Sequence, residues 1–196
     1  MKITPFESGC YYHLYNRGNN KEHIFFEDEN YSFFLNLMIK YILPVSEVYS
    51  YCLLPNHYHI LIKIKEVNNL PENYTNGKAK LSQPFSNFLN AYTKSINKKY
   101  GREGSLFQKN LKKIKITNEK YLQNLILYIN TNPSHHEIEN YKTYKHSSYK
   151  TLISNQKTNI YRKDVIELFD NLNNLKYRLE NKKMNLEIIQ NLTFDD

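Results

Sequence analysis

The sequence predicts an α+β domain built on an antiparallel sheet, and three observations support this fold class. Segments with alternating apolar and polar residues, typical of strands, are separated by segments whose apolar residues recur at helical spacing. Their order is strand, helix, strand, strand, helix, strand, helix. Only Pro55 and Asn56 separate the second and third strands, and so short a turn joins antiparallel neighbours. With 196 residues, the chain is long enough for one domain with an appendage.

The first half of the chain contains three predicted strands and one helix. Residues 10–17, CYYHLYNR, alternate and end at the turn signal RGNN. Residues 27–43 have an acidic start and apolar residues at helical spacing, and Pro44 ends this helix. Strands follow over residues 48–54 and from His57 onwards. These two form the predicted hairpin.

The second half contains two further helices and one strand before a C-terminal extension. Residues 66–82 are polar and predict an irregular excursion, whereas residues 83–100 predict a helix that stops at Gly101. A strand is expected over residues 105–116. The next helix is expected to begin after an N-cap at Thr117 and to end at Asn132, because Pro133 follows. We predict a domain over residues 1–150, followed by a helical extension with a polar tail over residues 151–196. The extension includes a predicted helix over residues 162–183.

Charge and composition favour a polyanionic partner. The chain has 27 Lys and Arg against 19 Asp and Glu, a formal net charge of +8, which suits nucleic acid or an anionic membrane surface. Its 18 Tyr and 10 Phe include aromatic faces on which unpaired bases can stack, although most are expected to be ordinary core and surface residues. Cys10 and Cys52 lack metal-site spacing, and no segment is apolar enough for a signal peptide or a membrane span. We therefore expect a cytoplasmic protein that does not associate with a membrane.

Two histidines begin the third strand, in the segment LLPNHYHILIKIK. The period of two places Tyr58 and the following isoleucines on the core face, and His57 with His59 on the opposite, polar face. Two neighbouring imidazoles suit a divalent cation or a phosphate. The simpler alternative is a pair of solvated strand histidines. Two ligands alone are too few to hold a catalytic ion.

A second candidate group lies in the helix segment YLQNLILYINTNP. Tyr128 and Asn132 stand one turn apart on a polar line beside the apolar stripe, so Tyr128 is expected to point away from the core. A phenol is a nucleophile when its proton is removed or its electrophile is polarised, and a nearby metal assists both. The Asn132 oxygen suits the third ligand that the histidine pair lacks. The alternative is a surface tyrosine near a helix end.

Basic residues flank these candidates in the sequence. The candidate DNA-binding set comprises Arg17, Lys109, Lys112, Lys113 and Lys115. Lysines on strand and helix edges are also commonly plain solvated residues. The other histidines, at positions 13, 23, 135, 136 and 146, show no spacing that indicates a site.

Five segments in order, NRGNNKEHIF, YCLLPNHYHILI, GSLFQKNLKKIKI, YLQNLILYINTNP and YKHSSY, resemble a known family over residues 10–150. This family is the HUH single-strand DNA transposases with one catalytic tyrosine, in the REP-associated tyrosine transposase branch of the IS200-like transposases. The most specific motifs are Pro-Asn-His-x-His at the start of a strand and Tyr-Ile-x-x-Asn-Pro near the end of a helix.

The resemblance implies a fold, a chemistry and partners. The fold is a ferredoxin-like antiparallel sheet with helices packed on it. His57, His59 and Asn132 match the ligands of a divalent metal, Mg²⁺ or Mn²⁺, and Tyr128 matches the nucleophile that forms a 5′-phosphotyrosine intermediate and releases a 3′-hydroxyl. The substrates are single-stranded DNAs with hairpin or palindromic ends, and many members are homodimers. Tyr121, seven residues before Tyr128, is the alternative nucleophile.

Three functions therefore remain as hypotheses at the level of the sequence. The first is a metal-dependent DNA strand transferase that cuts and rejoins single-stranded DNA. The second is a domesticated protein that binds single-stranded or hairpin DNA without cleaving it, for which the basic and aromatic residues suffice. The third, an unrelated hydrolase or metal-storage domain, lacks the carboxylate cluster that it would need.

Overall fold

The computed structural model describes residues 5–109 and 111–181, which fold around a four-stranded antiparallel sheet. The strand order is β2-β3-β1-β4, so β3 returns between β1 and β2 after the β2-β3 hairpin. The strands are β1 (Tyr11–Arg17), β2 (Ser46–Leu54), β3 (His57–Ile64) and β4 (Lys112–Ile116). The predicted α+β class and element order are confirmed, although the last strand is shorter than the expected 105–116.

Two helices, α1 (Asp28–Tyr41) and α3 (Gln83–Tyr100), cover one face of the sheet. They pack on each other and on the side of β3 that carries Tyr58 and the isoleucines. As predicted, α3 ends at Gly101, whose φ of 61° is the left-handed conformation that glycine adopts most easily. The excursion over residues 66–82 is not wholly irregular, because it contains a 3₁₀ turn and the short helix α2 (Glu72–Thr75).

The helix α4 (Glu119–His135) covers the opposite face and differs from the prediction at both ends. Its N-cap is Asn118, whose Oδ1 accepts a hydrogen bond of 2.7 Å from the Tyr121 backbone N–H. Pro133 does not end the helix, which continues to His135. A proline in the last turn removes only one backbone hydrogen-bond donor. The helical conformation of this turn is stabilised by packing, because every residue from 124 to 133 is buried.

The coverage of both sheet faces corrects the prediction for the histidine strand. The side with His57 and His59 is not a solvated polar face, because α4 and the C-terminal helices bury it under a second apolar cluster that includes Leu61 and Leu125. Because both faces of the sheet are covered, the side chains of β3 still alternate between the two faces, but neither face is exposed to solvent.

The C-terminal extension contains α5 (Tyr149–Ile153), α6 (Arg162–Glu167) and α7 (Leu172–Glu180). The expected single helix over 162–183 is interrupted, because Asp170 has a φ of 65° and Asn171 caps a new helix through its side chain. The apolar side chains of the extension join the cluster under α4, and residues 182–196, where the polar tail was predicted, lie outside the described residues. No helix within residues 5–109 and 111–181 is long and apolar enough to cross a membrane.

Candidate active site

Strand pairing places both motif histidines beside β1 on the face beneath α4. In the antiparallel register of β1 and β3, Arg17 is opposite His57 and Tyr15 is opposite His59. Side chains at opposite positions of an antiparallel pair leave the sheet on the same face. The His57 and His59 rings are 5.3 Å apart between centroids and nearly perpendicular, at 88°.

Each motif histidine makes a hydrogen-bond contact through Nδ1. His57 Nδ1 lies 2.6 Å from Asn56 Oδ1, and His59 Nδ1 lies 2.9 Å from His13 Nε2. Such contacts from the other ring nitrogen are the usual support of metal-binding histidines. The buried Nε2 atoms of His57 and His59 are therefore the nitrogens that suit a metal.

Helix α4 brings the predicted nucleophile onto this histidine pair. The Tyr128 ring meets the His59 ring edge-on, with 5.5 Å between centroids and an angle of 85°. Tyr128 does not point away from the core as predicted, because only 2 % of its surface is exposed. The polar line of the helix, which lies beside its apolar stripe, faces the covered side of the sheet and not solvent.

Asn132 completes the group one helical turn after Tyr128. It is fully buried, and neither polar atom of its amide makes a hydrogen bond within the described residues. Burial lowers the pKa of His57 and raises the pKa of Tyr128, and the nearby Asn132 amide opposes both shifts. The structure thus brings together all four residues that the two motifs indicated.

Burial dominates the electrostatics of this group. It lowers the pKa of His57 to about 3, helped by the charges of His136 and Arg17, and it lowers the pKa of His59 well below its usual value. Burial also raises the pKa of Tyr128 to about 12. At neutral pH the imidazoles are therefore neutral, the form in which histidine binds metals, and the phenol is protonated.

The side chains of this group could bind a metal ion whose other coordination positions are filled by a substrate. Among residues 5–109 and 111–181, no group of three His, Cys, Asp or Glu side chains is placed to hold a metal ion. The Asn132 amide, which is buried beside the pair, could supply a third donor. Two imidazole nitrogens and one amide oxygen suit a divalent ion that leaves positions for phosphate oxygens.

Three further histidines surround the group, although their spacing in the sequence gave no sign of it. His13 contacts His59 as described, the His136 ring lies 4.7 Å from the His57 ring, and the His135 ring stacks on Tyr128 at 5.8 Å. His135 and His136 follow Asn132 by three and four residues, and this proximity in the sequence is a signal that could have indicated them. The position of His13 depends on strand register, which the spacing does not encode.

The alternative nucleophile, Tyr121, lies two turns earlier on α4. Its backbone N–H takes part in the N-cap, and its side chain packs against the apolar cluster beneath the helix. Burial raises the pKa of Tyr121 to about 12, as for Tyr128. The two tyrosines therefore differ in position rather than in acidity, and Tyr128 is the one whose ring meets His59.

The predicted basic residues divide between the two faces of the sheet. Lys112 is opposite Tyr15 and exposed on the histidine face, and Arg17 lies beside His57. Lys113 and Lys115 extend from the other face, where Lys113 covers the Phe6 ring at 3.9 Å and Lys115 forms an ion pair of 2.7 Å with Glu7. Lys109 is exposed in the loop before β4.

Comparison with known proteins finds solved structures of the same fold. No family model and no curated protein matches the chain. A solved structure, a REP-associated tyrosine transposase bound to a REP hairpin, superposes with a TM-score of 0.61 over 84 % of this chain and 92 % of that chain, at 17 % identity. This chain has the fold of that transposase. The predicted ferredoxin-like fold is thereby confirmed, and the resemblance first seen in short motifs extends to the arrangement of the helices and strands.

Proposed function

We propose that this protein is a metal-dependent transferase that cuts and rejoins single-stranded DNA next to a hairpin, with Tyr128 as the nucleophile. The observation that carries the proposal is the packing of the Tyr128 ring against His59, with the Asn132 amide beside both His57 and Tyr128. The structural relative was solved bound to a REP hairpin, which supports hairpin DNA as the partner.

The proposed reaction exchanges one phosphodiester for another. Tyr128 Oη forms a bond to the scissile phosphorus, the bond from phosphorus to the 3′ oxygen breaks, and the phenol proton balances the 3′-hydroxyl that is released. The strand then remains joined to Tyr128 through its 5′ phosphate. Attack by another 3′-hydroxyl reverses these steps and rejoins DNA without a nucleotide cofactor.

His57, His59 and Asn132 would hold a divalent metal such as Mg²⁺ or Mn²⁺, which when bound polarises the scissile phosphate and stabilises its developing charge. The chain itself supplies the orientation. Helix α4 carries both Tyr128 and Asn132, so the nucleophile and the third ligand move as one unit. Burial excludes water from the phenol and keeps the imidazoles neutral.

Arg17 and Lys112 are the basic residues that we assign to the DNA backbone near the reacting group. Both leave the sheet on the face of His57 and His59, Arg17 opposite His57 and Lys112 opposite Tyr15. We place the proposed chemistry within residues 1–150, with 151–196 as an extension. A homodimer is also part of the proposal, and analytical ultracentrifugation with and without hairpin DNA tests it.

The decisive experiment looks for a covalent protein–DNA adduct. The full chain is incubated with Mg²⁺ or Mn²⁺ and a labelled pool of single-stranded hairpins with randomised stems and flanks, and adducts are separated under denaturing conditions. We expect an adduct from the wild type and a loss of at least about 10³-fold in Tyr128→Phe, since the substitution removes the nucleophile. Tyr121→Phe is the matched control and should retain the adduct. Equal adduct formation by Tyr128→Phe would refute the assignment.

A second function, hairpin binding without cleavage, is favoured by one observation. Tyr128 is only 2 % exposed and the two motif histidines are buried as well, so a scissile phosphate has no direct route to them in this conformation. Hairpin affinity measured by fluorescence anisotropy separates the two functions. Binding that is unchanged by Tyr128→Phe, together with no adduct from the wild type under any divalent ion, would establish this second function.

A further inference from the structure

His13 is a buried polar residue that the proposed reaction does not use. It lies in the middle of β1 and is fully buried on the face beneath α4, yet its position is opposite Leu61 rather than a histidine. The diagonal neighbour is His59, and the contact runs from His13 Nε2 to His59 Nδ1 at 2.9 Å. The two rings are nearly parallel, at 18°.

The hydrogen bond to His59 accounts for the burial of this ring. A polar group that is buried without a hydrogen bond destabilises the folded protein. His13 Nδ1 makes no hydrogen bond within the described residues, so the His59 contact is the one that offsets the burial of the imidazole. The ring also stacks on Tyr15, at 4.8 Å between centroids.

One proton between two neutral imidazoles allows two arrangements. Both rings are fully buried, and the 2.9 Å contact joins two ring nitrogens, so one of these nitrogens carries the hydrogen and the other accepts it. Either His59 donates from Nδ1 to His13 Nε2, or His13 donates from Nε2 to His59 Nδ1. Only the first arrangement leaves a lone pair on His59 Nε2, which a metal requires.

The other motif histidine, His57, makes an equivalent hydrogen bond through Nδ1, and there the donor can be assigned. Asn56 Nδ2 donates to the Lys21 carbonyl at 3.3 Å, which turns Asn56 Oδ1 towards His57 Nδ1. An amide oxygen can only accept, so His57 carries its proton on Nδ1 and its lone pair on Nε2. His13 occupies the equivalent place for His59.

We infer that His13 is a positioning residue, which accepts the Nδ1–H of His59 and thereby presents the His59 Nε2 lone pair to a divalent cation. This inference rests on the proposed function, because it assigns a role towards the metal of that site. It adds a residue from β1 to a group otherwise drawn from β3 and α4. Partners of this kind typically change metal affinity by about 10–100-fold when they are removed.

The first test measures Mn²⁺ affinity of the full chain by electron paramagnetic resonance, without DNA and without a measurement of activity. His13→Phe keeps an aromatic ring against Tyr15 but removes the acceptor, and we expect Mn²⁺ to bind about 10–100-fold more weakly. His13→Gln retains a side-chain acceptor and should recover part of this loss. His23→Phe, at an exposed histidine, is the matched control and should bind as the wild type does.

The second test determines directly which ring nitrogen of His59 carries the proton. Nitrogen-15 spectra of the histidine rings with Mg²⁺, assigned with His59→Gln, should show the His59 proton on Nδ1. This measurement uses the wild type and therefore remains decisive if His13→Phe fails to fold.

The outcomes separate the two proposals. If the wild type binds Mn²⁺ and His59→Gln weakens it but a folded His13→Phe does not, the role of His13 is refuted and the proposed function stands. A His59 proton on Nε2 in the Mg²⁺-loaded protein also refutes it. If the wild type binds no Mn²⁺, the metal-dependent function fails first and the inference falls with it.

Discussion

Both faces of the sheet are buried, but with different chemistry. Under α1 and α3 the core is aromatic and aliphatic, with Phe34 at its centre in contact with the rings of Phe88 and Tyr92. Under α4 the core also buries polar side chains, which include His13, His57, His59 and Asn132. Such groups are expensive to bury, so a fold that needed only stability would not place them together.

The difference assigns the two faces different tasks. The face under α1 and α3 supplies hydrophobic stabilisation, which is independent of pH near neutrality, because its buried ionisable groups are tyrosines such as Tyr58, whose pKa burial raises further. The face under α4 buries polar side chains, which lowers the stability that burial provides. Perturbations that act on one face only therefore test this division.

The largest expected effect is the loss of stability in mild acid. In the unfolded chain histidines titrate near pH 6.5, whereas burial keeps His13 and His57 neutral in the folded protein down to about pH 3, and His59 also has a lowered pKa. The unfolded state thus binds more protons between these values, and stability falls as pH falls. From pH 7.5 to 5 we expect a loss of about 2 kcal/mol for each of His13 and His57, or about 4 kcal/mol for the two, and His59 adds to this loss in the same direction.

Urea unfolding followed by circular dichroism at a series of pH values measures this loss. His57→Leu should reduce this loss by about 2 kcal/mol, since one of the groups with a lowered pKa is removed. His23→Ala, which changes an exposed histidine, should leave it unaltered. A free energy of unfolding that is constant between pH 7.5 and 5 would contradict the division of the two faces.

A cavity in the apolar face should have the next largest effect. Phe34 is fully buried, and its ring lies 4.6 Å from Phe88 and 5.0 Å from Tyr92. Phe34→Ala is expected to lower the free energy of unfolding by about 3–5 kcal/mol without changing its pH dependence. Tyr128→Phe on the other face removes only a hydroxyl and should change stability by about 1 kcal/mol. A similar cost for both substitutions would show that the two faces contribute alike.

The smallest expected effect is a difference between two neighbouring lysines of β4 whose side chains extend from opposite faces of the sheet. Lys112 lies on the histidine face, whereas Lys113 covers Phe6 on the other. If DNA follows the histidine face, Lys112→Ala should reduce the slope of log affinity against log salt by about 0.7–0.9, and Lys113→Ala should leave it unchanged. Anisotropy titrations of a hairpin at several salt concentrations provide these slopes. Equal changes would place the DNA elsewhere.

Features that depend on neighbouring residues in the chain could be predicted, and features that depend on packing could not. The order of the elements, the β2-β3 hairpin and the stop at Gly101 follow from local patterns, and the structure confirms them. The end of α4 was placed too early, because the contacts of its buried last turn outweigh the missing donor of Pro133. The interruption at Asp170 was missed, since a left-handed non-glycine residue has a weak sequence signal.

By itself the sequence determined that His57 and His59 share one face of a strand and that Tyr128 and Asn132 lie one helical turn apart, because these periods are properties of the local backbone. Only the tertiary structure decided that α4 closes over that face, burying the four residues together. It also decided the register that brings His13 of β1 to within 2.9 Å of His59, 46 residues further along the chain. Register and coverage arise from packing between distant segments, which no local period encodes.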